Sequence, residues 1–232
     1  MLAPMRYTVA LGILLSGTAA IAQTAQTPGT AAVPQTILTD TTSGGFHAGD
    51  FVVRLRAIGV IPQDSSTSVS VIGGHVNVSD QAAPEIDLSY FFTDHIAAEV
   101  IAASTRHGIT VNGSTLGHVD VGNTYILPPT LTAQYHFQPH GVFDPYLGVG
   151  LTVAFWYDTN AGGGPVTKLG LSTTAGPAIQ AGFNVALGGP WFANFDVKQV
   201  FLDTEARLNN GAIVAKTSLN PTIIGAGIGY RF

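Results

Sequence analysis

Cysteine is missing altogether, which excludes disulfides, thiol chemistry and cysteine–zinc sites. Charge is scarce: only 10% of residues are Asp, Glu, Lys or Arg, against about a quarter in an ordinary soluble domain. Lysine stands only at 168, 198 and 216. The formal net charge of −5 leaves no basic face for general nucleic-acid binding. No segment after the N-terminus runs for about 18 apolar residues, so no transmembrane helix is expected. Yet 46% of the residues are hydrophobic and mean hydropathy is +0.32. A chain this apolar, with no long apolar run and few lysines to wet a surface, must distribute its apolar residues by alternation.

At the N-terminus, Arg6 precedes an apolar run from Tyr7 to Leu15, and Ala20-Ile21-Ala22 follows. This is the pattern of a secretory signal peptide over 1–22. Its apolar core is too short for a membrane anchor, which needs about 20 residues. Residues 23–45 read as a flexible, polar periplasmic tail, and 46–232 as the folded part.

Eight segments of that part alternate. In DFVVRLRAIGV, Phe51, Val53, Leu55 and Ala57 share one face, and Arg54 and Arg56 the other. EIDLSYF, IAAEVIAA, ILPPTLTAQYHF, PYLGVGLTVAF, GPAIQAGFNVAL and WFANFDVKQVF repeat the pattern. In the last segment, Ile224, Ala226, Ile228, Tyr230 and Phe232 oppose Ile223, Gly225, Gly227, Gly229 and Arg231. A soluble sandwich also alternates, but its polar face meets water and should be rich in lysine and glutamate. Here that face is glycine, amide and a few charges. Each segment offers about 9–11 residues, enough for a tilted strand to cross hydrocarbon. Aromatics near segment ends (Tyr90, Phe91, Phe92, Tyr135, Phe137, Phe155, Trp156, Tyr157, Trp191, Phe201, Tyr230, Phe232) read as two interfacial girdles. The connections alternate between short turns, such as FFTDH and LGGPW, and long stretches near 59–81, 103–124, 156–171 and 202–219. In the first long stretch, TSVSVIGGHVNVSD reads as a hairpin around Gly73-Gly74. The expected fold is all-β: an eight-stranded antiparallel transmembrane β-barrel with short periplasmic turns and long extracellular loops. The last strand closes it against the first, which removes both sheet edges.

AGDFVVRLRAIGVIP (48–62), EIDLSYFFTDHIAAEVIAA (85–103), LPPTLTAQYHF (127–137), DPYLGVGLTVAFWYD (144–158) and GYRF (229–232) resemble the OmpW family of small outer-membrane proteins. The resemblance covers roughly 46–232. It implies an eight-stranded barrel with a narrow, unusually apolar channel, in the outer membrane of a Gram-negative cell. It further implies porin-like passive uptake of small hydrophobic molecules. The implied partners are outer-membrane lipids and the barrel-assembly machinery, for which Tyr230 and Phe232 resemble an assembly signal. No gate residue carries over.

The inner-face charges are Arg54, Arg56, Glu85, Asp87, Glu99, Asp196, Lys198 and Arg231. Paired carboxylates can serve acid–base hydrolysis. Carboxylates among arginines in a narrow barrel are better read as a structural lumen network, because an unpaired charge there is costly. Asp196, Lys198 and Arg231 are expected as a second cluster beside the one on the first three strands. Seven histidines show no metal-ligand spacing, so no metal, cofactor or enzyme activity is expected. GAGIG at 225–229 has no following helix and reads as strand glycine rather than a dinucleotide loop. Val52, Ile58, Ile101, Phe192, Val200 and Ile223 are the candidate apolar lining. The rival to uptake is a non-transporting surface barrel whose loops act as a receptor.

Overall fold

The computed structural model describes residues 45–63 and 65–232. The expected signal peptide and all of the expected tail except Gly45 lie outside them. In chain order the strands are β1 (Phe51–Ile61), β2 (Ser65–Val69), β3 (His75–Val78), β4 (Gln81–Phe91), β5 (Ile96–Ala103), β6 (Thr105–Ser114) and β7 (Gly117–Leu127). They continue as β8 (Thr130–His136), β9 (Phe143–Ala161), β10 (Leu169–Leu171), β11 (Thr174–Gly188), β12 (Trp191–Val200), β13 (Asp203–Leu208), β14 (Ile213–Ser218) and β15 (Thr222–Arg231).

Eight of these, β1, β4, β5, β8, β9, β11, β12 and β15, pair antiparallel in that circular order, and β15 closes on β1. They are the eight alternating segments. Leu55, Ile86, Val100, Leu131, Leu151, Ile179 and Ile228 point outward and are exposed. In water that belt would be an aggregation liability; in hydrocarbon it is solvated. Arg54, Asp87, Glu99, Gln134, Thr152 and Lys198 point inward and are buried.

The periplasmic turns are tight. Thr93 Oγ1 accepts from the backbone of Ile96 at 2.9 Å in the 92–95 turn. Gly188 and Gly189 take φ of 121° and 56° in the β11–β12 turn, values that glycine adopts without strain. The glycines of β15 answer to close approach instead. A methyl group on Gly229 would sit inside the Phe192 ring, and one on Gly227 would lie 2.7 Å from the Arg56 Cα.

The long connections form a second storey of strands on the extracellular side. β6 and β7 form a hairpin, β7 runs along the upper half of β9, and β3 pairs with β6. β10, β13, β14 and β2 form a separate four-stranded sheet. The expected hairpin around Gly73-Gly74 does not form: its two strands part, β2 to β14 and β3 to β6. Val71, Gly73 and Gly74 all take positive φ there, and the Ile72 carbonyl is held by the Thr115 N–H at 2.9 Å. Pro128-Pro129 marks the step between storeys. Two missing N–H groups interrupt the ladder between β7 and β8, and Pro129 still accepts from Val153 at 3.0 Å.

Candidate functional site

The lumen has three levels. The middle one is ionic. Arg54 and Arg56 sit two apart on β1 and so face inward together. Register sets Arg54 opposite Asp87 and Arg56 opposite Glu85 on β4, and Ser89 opposite Glu99 on β5. Arg54 Nη1 reaches Glu99 Oε1 at 3.1 Å and Asp87 Oδ1 at 3.4 Å, and donates to Ser89 Oγ at 2.7 Å. Arg56 Nη2 meets Glu85 Oε1 at 2.5 Å, and its Nη1 meets Asp196 Oδ2 at 2.9 Å. Arg56 Nε lies 2.8 Å from Asp87 Oδ2, an ion pair too bent to be a hydrogen bond. Every member is at most 3% exposed, so each charge depends on these partners and not on water.

Amides extend the network. Gln180 donates to Asp196, Gln134 donates to Gln180 at 3.2 Å, and Asn194 bridges the Tyr146 hydroxyl at 3.0 Å and Asn184 at 2.9 Å. His136 Nδ1 lies 2.6 Å from Asp144. Below, the periplasmic mouth is stopped by rings. Phe46 stacks on Phe91 at 4.7 Å and meets Phe192 edge-on at 5.1 Å, with Val52 and Ala97 beside them. Arg54 lies over Phe192 at 5.5 Å. The segment before β1 is strapped across this mouth by Phe46 N–H to Pro139 O at 2.8 Å and Ala48 N–H to Asp94 at 2.9 Å. The Ala48 N–H also holds the Asp94 carboxyl below its usual range.

Above the ions lies an apolar shaft with a cavity volume of about 90 Å³. Its lower wall is Ile58, Val60, Ile101, Ala103, Val200 and Ile223, and its floor carries Glu85, Lys198, Thr130 and Thr152. The outer strands supply the upper wall: Ile72, Val76, Ile109, Val111, Val121 and Leu208. His107 is a polar member of that wall. Its Nδ1 donates to Ser79 O at 2.8 Å and its Nε2 accepts from Thr105 at 2.9 Å. Burial pushes the ring below its ordinary pKa.

The structure brings seven of the eight inner-face charges to one level. There is one cluster, not two: Asp196 joins through Arg56, and Lys198 stands on the upper side of the same group. Arg231 does not belong to it. It lies at the periplasmic rim, 3.6 Å from Asp50 and 3.3 Å from His47. The expected apolar lining divides. Ile58, Ile101, Val200 and Ile223 line the shaft, while Val52 and Phe192 belong to the stopper beneath the ions. Two aromatics placed in the girdles face inward instead: Phe91 is in the stopper, and Trp156 lines the shaft with its Nε1 bonded to Ser172 O at 3.0 Å. Alternation missed Phe46 because it precedes the first strand, and missed the upper wall because it comes from stretches read as loops. Among the described residues no acidic, histidine or cysteine cluster suits a metal ion.

Comparison with known proteins agrees with this geometry. The OmpW family model matches residues 47–232. The uncharacterized outer-membrane protein y4mB of Sinorhizobium fredii is 37% identical, over 98% of this chain and 96% of its own length. Outer membrane protein W of Vibrio cholerae is 35% identical, over 79% of this chain and 89% of its own length. The crystal structure of OprG from Pseudomonas aeruginosa superposes with a TM-score of 0.76 at 26% identity, covering 82% of this chain and 98% of that one.

Proposed function

Because the chain belongs to the OmpW family of bacterial outer-membrane barrels, we propose that it is a passive, non-enzymatic entry route for small hydrophobic molecules. The observation that carries this reading is the aliphatic shaft resting on an ion cluster. A small apolar solute entering from outside exchanges water for aliphatic walls, a gain of about 25 cal/mol per Å² buried. Ions gain little there, because the carboxylates beneath are already held by Arg54 and Arg56. The shaft is narrow: its volume of about 90 Å³ is below the roughly 150 Å³ of an engineered cavity that admits benzene. Slender solutes therefore suit it best.

The loop-receptor reading draws less support. The long connections are largely strands, and Ile72, Val76, Ile109 and Val111 turn inward onto the shaft, so these four side chains serve the interior.

The test is uptake of short alkanes by cells with and without the protein, beside single-channel conductance in planar bilayers. Faster alkane uptake with little conductance is expected. Equal uptake across several solutes, with saturable binding of a macromolecule to the outer strands, would overturn the reading.

A further inference from the structure

Lys198 projects from β12 into the floor of the shaft and is 1% exposed. Its ammonium carries three donors. Among the described residues it has no hydrogen-bond or ion-pair partner. The carboxylates nearby are held by other groups, although Asp196 Oδ1 makes no hydrogen bond. Glu85 is held by Arg56 at 2.5 Å, and Glu99 by Arg54 and Thr132, both at 3.1 Å. Asp196 is held by Arg56 at 2.9 Å and by Gln180. The floor hydroxyls of Thr130 and Thr152 bond each other at 2.8 Å. Glu99 is the anion close enough to feel the ammonium charge, but it makes no direct contact with it. A buried ammonium with unused donors is costly, and a ligand acceptor arriving in the shaft would relieve that cost.

We infer that the shaft floor is a binding site for an uncharged carbonyl oxygen, with Lys198 as its donor. The shaft then takes short aliphatic ketones, aldehydes or esters, chain upward and oxygen down. The inference rests on the uptake reading and adds a ligand class to it.

Charge decides the class. Glu85, Asp87, Glu99 and Asp196 face Arg54, Arg56 and Lys198 in this cluster. Anions already outnumber cations by one, so a ligand carboxylate would raise that excess to two in a buried site. A ligand cation would meet an ammonium. A neutral acceptor avoids both penalties.

A second observation points the same way. Thr204 on β13 and Thr217 on β14 are register partners, are buried, and line the shaft. Both hydroxyls lack a hydrogen-bond partner. They offer donors to an oxygen passing down a wall that is otherwise aliphatic.

The experiment measures equilibrium partitioning of radiolabelled octane, 2-octanone and octanoate into lipid nanodiscs carrying the protein, relative to empty nanodiscs. The wild type should bind octanoate no more tightly than 2-octanone. Lys198→Met should lower the ratio of ketone to octane affinity about tenfold, the worth of one hydrogen bond to a charged donor. Should that variant fail to fold, Thr204→Val combined with Thr217→Val, away from the ions, should lower the same ratio. An unchanged ratio in the folded variants overturns the inference and leaves the uptake reading standing. Octanoate binding most tightly would make the floor an anion site, which also overturns it. If none of the three exceeds empty nanodiscs, the uptake reading itself falls.

Discussion

Replacing Arg56 with Met removes the cation that Glu85, Asp87 and Asp196 approach at 2.5, 2.8 and 2.9 Å. Asp87 keeps Arg54 at 3.4 Å and Asp196 keeps the Gln180 amide, so Glu85, whose hydrogen bond is to Arg56, is the carboxylate left with neither a cation nor a donor. It is 3% exposed, too little for water to compensate. Removing one partner of a buried pair costs about 3–5 kcal/mol, and that is the expected loss for Arg56→Met. Glu85→Gln alone leaves Arg56 two other carboxylates and should cost only about 1–3 kcal/mol. In the Arg56→Met background the sign reverses: Glu85→Gln removes the stranded charge and should restore stability. A coupling of about 2 kcal/mol follows, within the range seen for residues in one network. Urea unfolding of the four proteins in lipid vesicles, followed by heat-modifiable gel mobility, measures it. Additivity within about 0.5 kcal/mol would show the groups to be solvated and independent, and would refute the buried network.

Gly229→Ala places a methyl group in the Phe192 ring and should destabilise the barrel by about 1–3 kcal/mol; Phe192→Leu in the same chain should recover part of that in the same unfolding assay. Phe232 is 70% exposed and packs on Tyr230 and Phe51 at 4.7 and 6.2 Å; its deletion should lower the heat-modifiable folded fraction in cells, and normal insertion would show the terminal ring dispensable. Burial holds His107 below its ordinary pKa, so folding favours its neutral form. Its contribution is complete well above pH 6.5 and is lost as pH falls through the unfolded and then the folded pKa. A ring titration by NMR should show a midpoint below 6.5, and a midpoint at or above it would contradict the burial of the ring.

The eight barrel strands were legible because a lipid-facing strand has a strict period of two. Leu55 and Arg54, or Ile179 and Gln180, can occupy only opposite faces. The ion cluster was legible in part for the same reason. Arg54, Arg56, Glu85, Asp87 and Glu99 lie on strands adjacent in sequence, where register follows from short turns. Asp196 entered through β15, whose glycines let Arg56 lean across to β12, and alternation carries no information on reach. Arg231 shares a face with the cluster but sits at the rim, because face is readable and height is not. The outer storey was hidden for another reason. β2 pairs with β14 and β10 with β13, partners far apart in sequence and without hairpin turns to announce them. The shaft was therefore half visible: Ile58, Ile101, Val200 and Ile223 from the barrel, but not its upper wall.

Ala103 lines the shaft beside Ile58 and Val60. Changing Ala103 to Trp adds an indole to a space of about 90 Å³, across the sheet from Glu85. Octane uptake into proteoliposomes carrying equal amounts of folded wild-type and Ala103→Trp protein is the most direct measurement of whether solute travels through the shaft. The variant should fall to the rate of protein-free vesicles. Uptake at the wild-type rate with the shaft filled would contradict the account.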